Sequence, residues 1–394
     1  MSKQTVLTLW SLVVILTISV LSLKWRQGDS GEPQTERRRG QTLLESFAVT
    51  DVAKITLKGA KESTTLQRTE KGWQVVERGG YDANFNQINN LLRTLEMVKV
   101  NQAIEAGPTY GARFGMDPQA TSESERGVKI TFRKADDTIV ATVLLGKDSS
   151  GGGRFVRNAE DTTGIYVTSE SFPAASPQAK SWLEEDFIDI QKIQSVAVST
   201  PGNPKKIEWR VARANENADF GLDGAKKEET IDSTANSTLK TLLASARFQD
   251  VSMKNLKEVL EDKQSRVVTI TTTEGFTYEL TILPKPATAV PQALAQPGDA
   301  PPPAEENCYV ALQVSAKLPT ERVKAKDETP DAAKAAEEEF QTKLKTLKEK
   351  LQKEQGFQGK VFEIAQYSLE TLLKPRKDLI QAPTNQATSP PVGP

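Results

Sequence analysis

The same ordered series of strand and helix patterns occurs twice between residues 45 and 381. Each series begins with alternating strands, continues with one amphipathic helix, and ends with a strand hairpin and further strands. The apolar residues of the two helices share the i, i+3, i+4, i+7 spacing. They are Ile88, Leu91, Leu92 and Leu95 in the first copy and Leu239, Leu242, Leu243 and Ala246 in the second. The sequence therefore predicts an α+β fold class, with tandem repeats of mainly antiparallel sheet at 45–190 and 191–381.

Other positions correspond between the two copies. Asp82 and Asp232 stand before the helices as predicted N-caps. The remaining matches are Trp73 with Phe220, Gly146-Lys147 with Pro284-Lys285, Arg154-Phe-Val-Arg157 with the segment that begins at Cys308, and Ile165-Tyr-Val-Thr168 with Val361-Phe-Glu-Ile364. An ordered series of matches is stronger evidence for duplication than one shared helix.

The second copy contains two insertions. Residues 284–306 are rich in Pro and Ala, which is typical of an extended loop. Residues 318–356 are rich in Lys and Glu, and they predict a long inserted helix that opens near Pro330 and ends at Gly356. Two interpretations of this helix stay open: it folds back on its own domain, or it docks in a partner groove. The apolar residues that would contact a partner are Phe340, Leu344, Leu347 and Leu351. Residues 382–394 are predicted to be a disordered tail.

The N-terminus predicts a transmembrane helix at 5–23, within an anchor at 1–27 that a tether at 28–44 follows. About 19 uncharged residues span roughly 28 Å, close to the hydrocarbon thickness of a bilayer. Lys24, Trp25 and Arg26 follow as predicted membrane-interface residues. A cleaved signal peptide is disfavoured, because the apolar run is long and no Ala-x-Ala site follows it. We therefore expect a single-pass membrane protein, bound to lipid through this helix.

The composition excludes several classes of site. The chain has no His and one Cys, so it has neither a Ser-His-Asp triad nor a Cys-His nucleophile. Zinc sites that need His or several Cys are excluded as well. With 51 basic and 52 acidic residues the net charge is −1, which gives no electrostatic case for nucleic acid. We expect no catalytic, cofactor or metal site, and hence no enzyme.

Four features of the sequence are candidates for chemistry. The Gly146–Gly153 loop lacks the spacing of a phosphate-binding loop and predicts a hairpin connection. The acidic runs at 184–186 and 337–339 are typical of solvated faces, although carboxylate catalysis stays open. Cys308 alternates with apolar residues and is interpreted as a buried thiol. Trp73, Trp182 and Trp209 are interpreted as core residues.

Several segments together resemble a bacterial family, domain of unknown function 4340. They include the Leu66–Trp73 strand and turn, the Phe114-Gly-Met-Asp-Pro118 segment, the Leu144-Leu-Gly146-Lys turn, and Phe155-Val-Arg with Ile165-Tyr-Val. The resemblance implies a single-pass anchor in the bacterial inner membrane, a large periplasmic or extracytoplasmic domain, and an association with ABC transporters of the gliding-motility type. The family supplies no catalytic residue.

The sequence thus predicts a membrane-anchored, non-enzymatic accessory or scaffold protein of an envelope or ABC transporter complex, acting through protein–protein contacts. One alternative is an extracytoplasmic module that binds polysaccharide or peptidoglycan. A second alternative is a carboxylate-dependent hydrolase.

Overall fold

The structure is a computed structural model, and it describes residue 15 and residues 17–19, 34–226, 229–286, 306–324 and 328–381. The chain divides into unit 1, Met1–Trp182, and unit 2, Leu183–Pro394. The sequence predicts that the second repeat starts at 191. Residues 183–190 lie in unit 2 because Phe187 packs its ring against Phe357 and Phe362, at 5.2 and 4.6 Å between centroids.

Unit 1 is built on a nine-stranded sheet with the order β4-β3-β2-β1-β6-β7-β8-β9-β5. Its elements are β1 (Lys54–Lys58), β2 (Ser63–Thr69), β3 (Gly72–Val75), β4 (Tyr81–Asp82), α1 (Phe85–Met97), β5 (Val100–Glu105), α2 (Glu123–Arg126), β6 (Val128–Arg133), β7 (Ile139–Asp148), β8 (Arg154–Asn158) and β9 (Gly164–Thr168). The pairings among these strands are antiparallel.

The core of unit 1 follows from two periodicities. Alternate residues of β1 and β6, among them Ile55, Ile130 and Phe132, are fully buried. The predicted apolar face of α1 is buried too, with Ile88 and Leu95 at 0% exposure. Burial of such a face stabilises a helix more than intrinsic propensity does.

The predicted N-cap at Asp82 is wrong, whereas the predicted N-cap at Asp232 is confirmed. Asp82 lies in β4, where it pairs with Gln74. Asn84 caps α1 instead, and its side chain accepts a hydrogen bond from the backbone of Gln87 at 3.0 Å. Asp and Asn are both suitable N-cap residues, and Asp82 and Asn84 stand two positions apart. Because Asp82 belongs to the short strand β4, Asn84 is the residue that caps the helix.

Unit 2 has an eight-stranded sheet with the order β12-β11-β10-β14-β15-β16-β17-β13. Its elements are β10 (Ile193–Thr200), β11 (Asn203–Ala212), β12 (Gly221–Leu222), α3 (Ser233–Lys240), β13 (Asp250–Ser252), α4 (Leu256–Glu261), β14 (Arg266–Thr272), β15 (Phe276–Pro284), β16 (Asn307–Ala316), α5 (Pro330–Gln355), β17 (Val361–Ala365) and α6 (Glu370–Leu373). With β12 in place of β3 and β4, this order repeats that of unit 1. The chain is therefore α+β with two mainly antiparallel sheets.

The helix of the second copy is shorter than the sequence pattern predicts. It ends at Lys240, although Leu242 and Leu243 continue the apolar spacing and are buried. Leu243 and Ser245 have φ angles of 57° and 52°, in the left-handed region. Ser and Thr fill much of α3, and such residues favour turns over helix interiors. The unwound backbone bonds to an earlier segment, since Ile190 donates to the Leu243 carbonyl at 3.1 Å.

The predicted fold class needs one correction, which concerns its N-terminal transmembrane helix at 5–23. Among the described residues, no helix is both long enough and apolar enough to cross a membrane. A bilayer needs about 20 consecutive apolar residues. The longest described helix, α5, is rich in Lys and Glu. Most of 5–23 lies outside the described residues, as do the tail at 382–394 and most of the Pro/Ala-rich insertion at 284–306.

Candidate functional site

The four predicted partner residues lie on α5, which runs from Pro330 to Gln355. Leu347 is buried, whereas Phe340, Leu344 and Leu351 are half-buried. The side chain of Thr329 caps the helix at the Ala332 amide, and Pro330 occupies its first turn. The helix therefore packs part of its apolar stripe within unit 2.

The C-terminal half of α5 is attached through one buried carboxylate. Glu354 is 2% exposed, and its Oε2 accepts a hydrogen bond of 2.7 Å from the hydroxyl of Tyr278, on β15. Its Oε1 accepts from the Asp189 amide at 3.1 Å. Lys350, one turn earlier, donates to the Asp189 carbonyl. We call Glu354, Tyr278 and the Asp189 backbone the carboxylate clamp.

Burial dominates the electrostatics of the clamp. It raises the pKa of Glu354 above its ordinary value of 4.5, although the Asp189 amide, the Tyr278 hydroxyl and the charge of Lys350 oppose this. Burial and the neighbouring Glu354 carboxylate also raise the pKa of Tyr278. Tyr278 therefore stays protonated at neutral pH and can donate to Glu354.

The clamp was missed in the sequence, but its spacing gives a signal. Glu354 stands seven and three residues beyond the stripe positions Leu347 and Leu351, so it continues their face. A charged residue on the buried face of a helix requires a polar partner. The sequence could not show that Tyr278 supplies it from 76 residues away.

The N-terminal half of α5 has more local contacts. The guanidinium of Arg322 donates to both oxygens of Glu328, at 2.7 and 2.6 Å, and to Glu337 at 3.2 Å. Apart from these bonds to Arg322, the hydrogen bonds and ion pairs that join α5 to other elements of unit 2 begin at Lys350 within the described ranges. The first half of the helix is thus held mainly by the segment that precedes it. The predicted membrane-interface residues, Lys24, Trp25 and Arg26, lie outside the described residues.

Unit 1 contains a pocket of about 390 Å³ at the β7–β8 hairpin. Lys147, Asp148 and Arg154 line it, together with Glu123, Ser124 and Ser171. Arg154 donates from Nε to the Gly146 carbonyl at 2.6 Å and from Nη1 to the Ser171 carbonyl at 3.2 Å. We call this site the Arg154 pocket.

Close backbone approaches shape the Arg154 pocket. A Cβ at Gly146 would lie 2.1 Å from the Phe114 carbonyl oxygen, so a larger residue would push the two segments apart. Gly115 has a φ of 72° and faces the Lys147 amide. Two segments that carry the family resemblance, the one at Phe114 and the one at Gly146, therefore meet at this pocket. The Gly146–Gly153 segment is a hairpin connection, as predicted.

The other candidates have structural roles. Cys308 is fully buried in β16, and burial raises its pKa to about 11. Trp73, Trp182 and Trp209 are buried in their units. The acidic runs enter ion pairs, with Glu185 bonded to Arg247 at 3.0 Å and Asp186 to Lys353 at 2.8 Å. No group of three His, Cys, Asp or Glu residues that could hold a metal ion occurs in the described part of the chain.

The model of a family described as a domain of unknown function (DUF4340) matches residues 73–265. This match supports the DUF4340 family. The DUF4340 match begins in β3 and ends before β14, so it includes the whole Arg154 pocket but not α5. No curated protein and no solved structure matched the chain.

Proposed function

We propose that this chain is a non-enzymatic accessory or scaffold protein that acts through protein–protein contacts, with the N-terminal half of α5 as one contact surface. The observation that carries the proposal is the asymmetric attachment of α5. The buried carboxylate clamp holds one end, while the other end is tied to the nearby Arg322.

The comparison of the two sheets supports a role for α5 beyond folding. Unit 1 has the same strand order, and its described connection between β8 and β9, residues 159–163, contains no helix equivalent to α5. The sheet therefore does not need α5 to complete its topology. The fold does not require α5, yet a buried charged group fixes this helix in place. A function for the surface of the helix explains this better than a purely structural role does.

The proposed surface is the first half of the helix, residues 330–344. Fifteen helical residues extend about 22 Å, which suits contact with a groove or with another helix. Phe340 and Leu344 keep part of their apolar surface in solvent. Exposed acidic residues, Glu337 to Glu339, flank them, and an apolar centre with a charged rim is the common anatomy of an interface.

We propose a subunit of a bacterial envelope or ABC transporter complex as the partner. The support for this setting is the family resemblance, which implies an association with transporter components. Because the buried clamp fixes α5, the helix would be preformed when it meets the partner. This lowers the entropy cost of ordering the helix on binding.

Recovery of partners with the tagged full-length chain from its own cells tests the proposal. We expect transporter or envelope subunits with the native chain, and about tenfold less of them with Leu344→Asp, equivalent to about 1.4 kcal/mol. Ala335→Asp is the matched control, because Ala335 is exposed on the same half of the helix. Circular dichroism of both variants would show whether the fold is retained.

Two results would contradict the proposal. The first is recovery of the chain without any such subunit. The second is an equal decrease in recovered subunits for Leu344→Asp and Ala335→Asp, since an added charge would then act irrespective of its position on the helix.

A further inference from the structure

The two cationic side chains of the Arg154 pocket have no ion-pair partner in the described part of the chain. Arg154 is half-buried and bonds only to the carbonyls of Gly146 and Ser171. Lys147 is exposed at the pocket rim. A guanidinium bonded to neutral carbonyls keeps its full charge, so the pocket retains two cations that an anion could pair with.

The two carboxylates of the pocket do not neutralise these cations directly. Glu123 already accepts hydrogen bonds from the amides of Ala60 and Lys61, at 2.9 and 3.1 Å. Asp148 lies across the hairpin from Arg154 without forming an ion pair with it. Burial lowers the pKa of Arg154, and the charge of Asp148 opposes this only in part.

The equivalent hairpin of unit 2 offers an internal comparison, because the charge of its lysine is neutralised by an ion pair. There Lys285 forms an ion pair with Glu363 at 2.7 Å. Lys285 stands where unit 1 has Ser149, since its amide donates to the Asn307 carbonyl as the Ser149 amide donates to the Gly153 carbonyl. Val167 occupies the position in unit 1 that matches Glu363, so that carboxylate has no counterpart there. Cys308, a buried thiol, stands in place of Arg154. Of the two hairpins, the one in unit 1 carries two cations, Lys147 and Arg154, that have no ion-pair partner among the described residues, whereas the lysine of the other is paired.

We propose that the Arg154 pocket binds the phosphate group of a ligand. A tetrahedral phosphate has several acceptor oxygens that point in different directions. The pocket presents donors from separate elements: Arg154 on β8, Lys147 on β7, and the hydroxyls of Ser124 and Ser171. Arg154 would bind through the guanidinium hydrogens that the two carbonyls leave unused. This proposal is independent of α5, which unit 1 does not contain.

Titration of the full-length chain with inorganic phosphate, followed by calorimetry, tests this site. We expect saturable binding that weakens with salt, and a loss of about tenfold in affinity for Lys147→Met. Lys206→Met is the matched control: Lys206 is an exposed strand residue of unit 2, and its replacement removes the same charge. Lys147 is exposed, so its replacement should leave the fold intact, which circular dichroism would verify.

Further arms identify the source of the phosphate. Phosphatidylcholine vesicles with and without phosphatidic acid report a lipid headgroup, and that binding should also weaken in Lys147→Met. Binding of acetate at equal concentration would show that the site accepts carboxylates. The proposal is overturned if the native chain binds neither phosphate nor phosphatidic acid, if acetate binds as tightly as phosphate, or if Lys147→Met and Lys206→Met behave alike.

Discussion

Replacement of Tyr278 by Phe tests whether the carboxylate clamp holds α5 on its sheet. The change removes one hydroxyl from a fully buried residue and leaves Oε2 of the buried Glu354 without its 2.7 Å donor. A hydrogen bond to a charged group contributes about 1.5–3 kcal/mol. We therefore expect the free energy that opens the second half of α5 to fall by about 2 kcal/mol.

Amide hydrogen exchange measures this loss without assuming that the two units unfold together. A decrease of about 2 kcal/mol corresponds to exchange that is about 30-fold faster for the amides around Leu347 and Glu354. Tyr309→Phe is the matched control, because Tyr309 is half-buried in the neighbouring strand and its hydroxyl bonds to no described residue. Equal protection in Tyr278→Phe and Tyr309→Phe would refute the reasoning.

The pH dependence of the same measurement gives a second check. Because the pKa of folded Glu354 is raised, the folded protein keeps a proton that the unfolded chain releases near pH 4.5. The stability contributed by this protonation is complete below pH 4.5 and is lost as the pH rises through the folded pKa. The penalty of Tyr278→Phe should increase as the pH rises through the folded pKa of Glu354, because the lost donor then served an ionised acceptor.

Three further changes probe local features, each by its effect on chemical unfolding. Asp232→Ala removes the cap that accepts from two backbone amides of α3, and should cost about 1 kcal/mol in unit 2. Gly146→Ala places a Cβ 2.1 Å from a carbonyl oxygen and should destabilise unit 1, whereas Gly151→Ala meets no atom within 4 Å and should not. Ser245→Gly relieves a left-handed residue that is exposed, and should raise stability by about 1 kcal/mol.

The sequence predicted features that depend on residue spacing. The alternation in β1 and β6 and the stripe of α1 follow from burial on one face, which a single chain reveals. The start of α5 at Pro330 and its end before Gly356 follow from the local chemistry of helix termini.

The features that were missed depend on contacts between distant segments. The early end of α3 requires Ile190 to bond to Leu243, a contact that the apolar spacing does not encode. The Arg154 pocket forms where the segment at Phe114 crosses the hairpin at Gly146, and the two are 32 residues apart in the chain. The ion pair of Lys285 with Glu363, 78 residues along the chain, is likewise a contact that residue spacing does not encode.

The shared strand order also bears on how the chain reaches its folded state. Tandem domains of one topology can exchange equivalent strands while they fold, so that β14 competes with β6 for the edge of β1. In this chain, all nine strands of unit 1 precede Ile193, where the first strand of unit 2 begins. During synthesis the first sheet can close before its competitors leave the ribosome, so refolding of the complete chain from denaturant should produce more strand exchange than synthesis does.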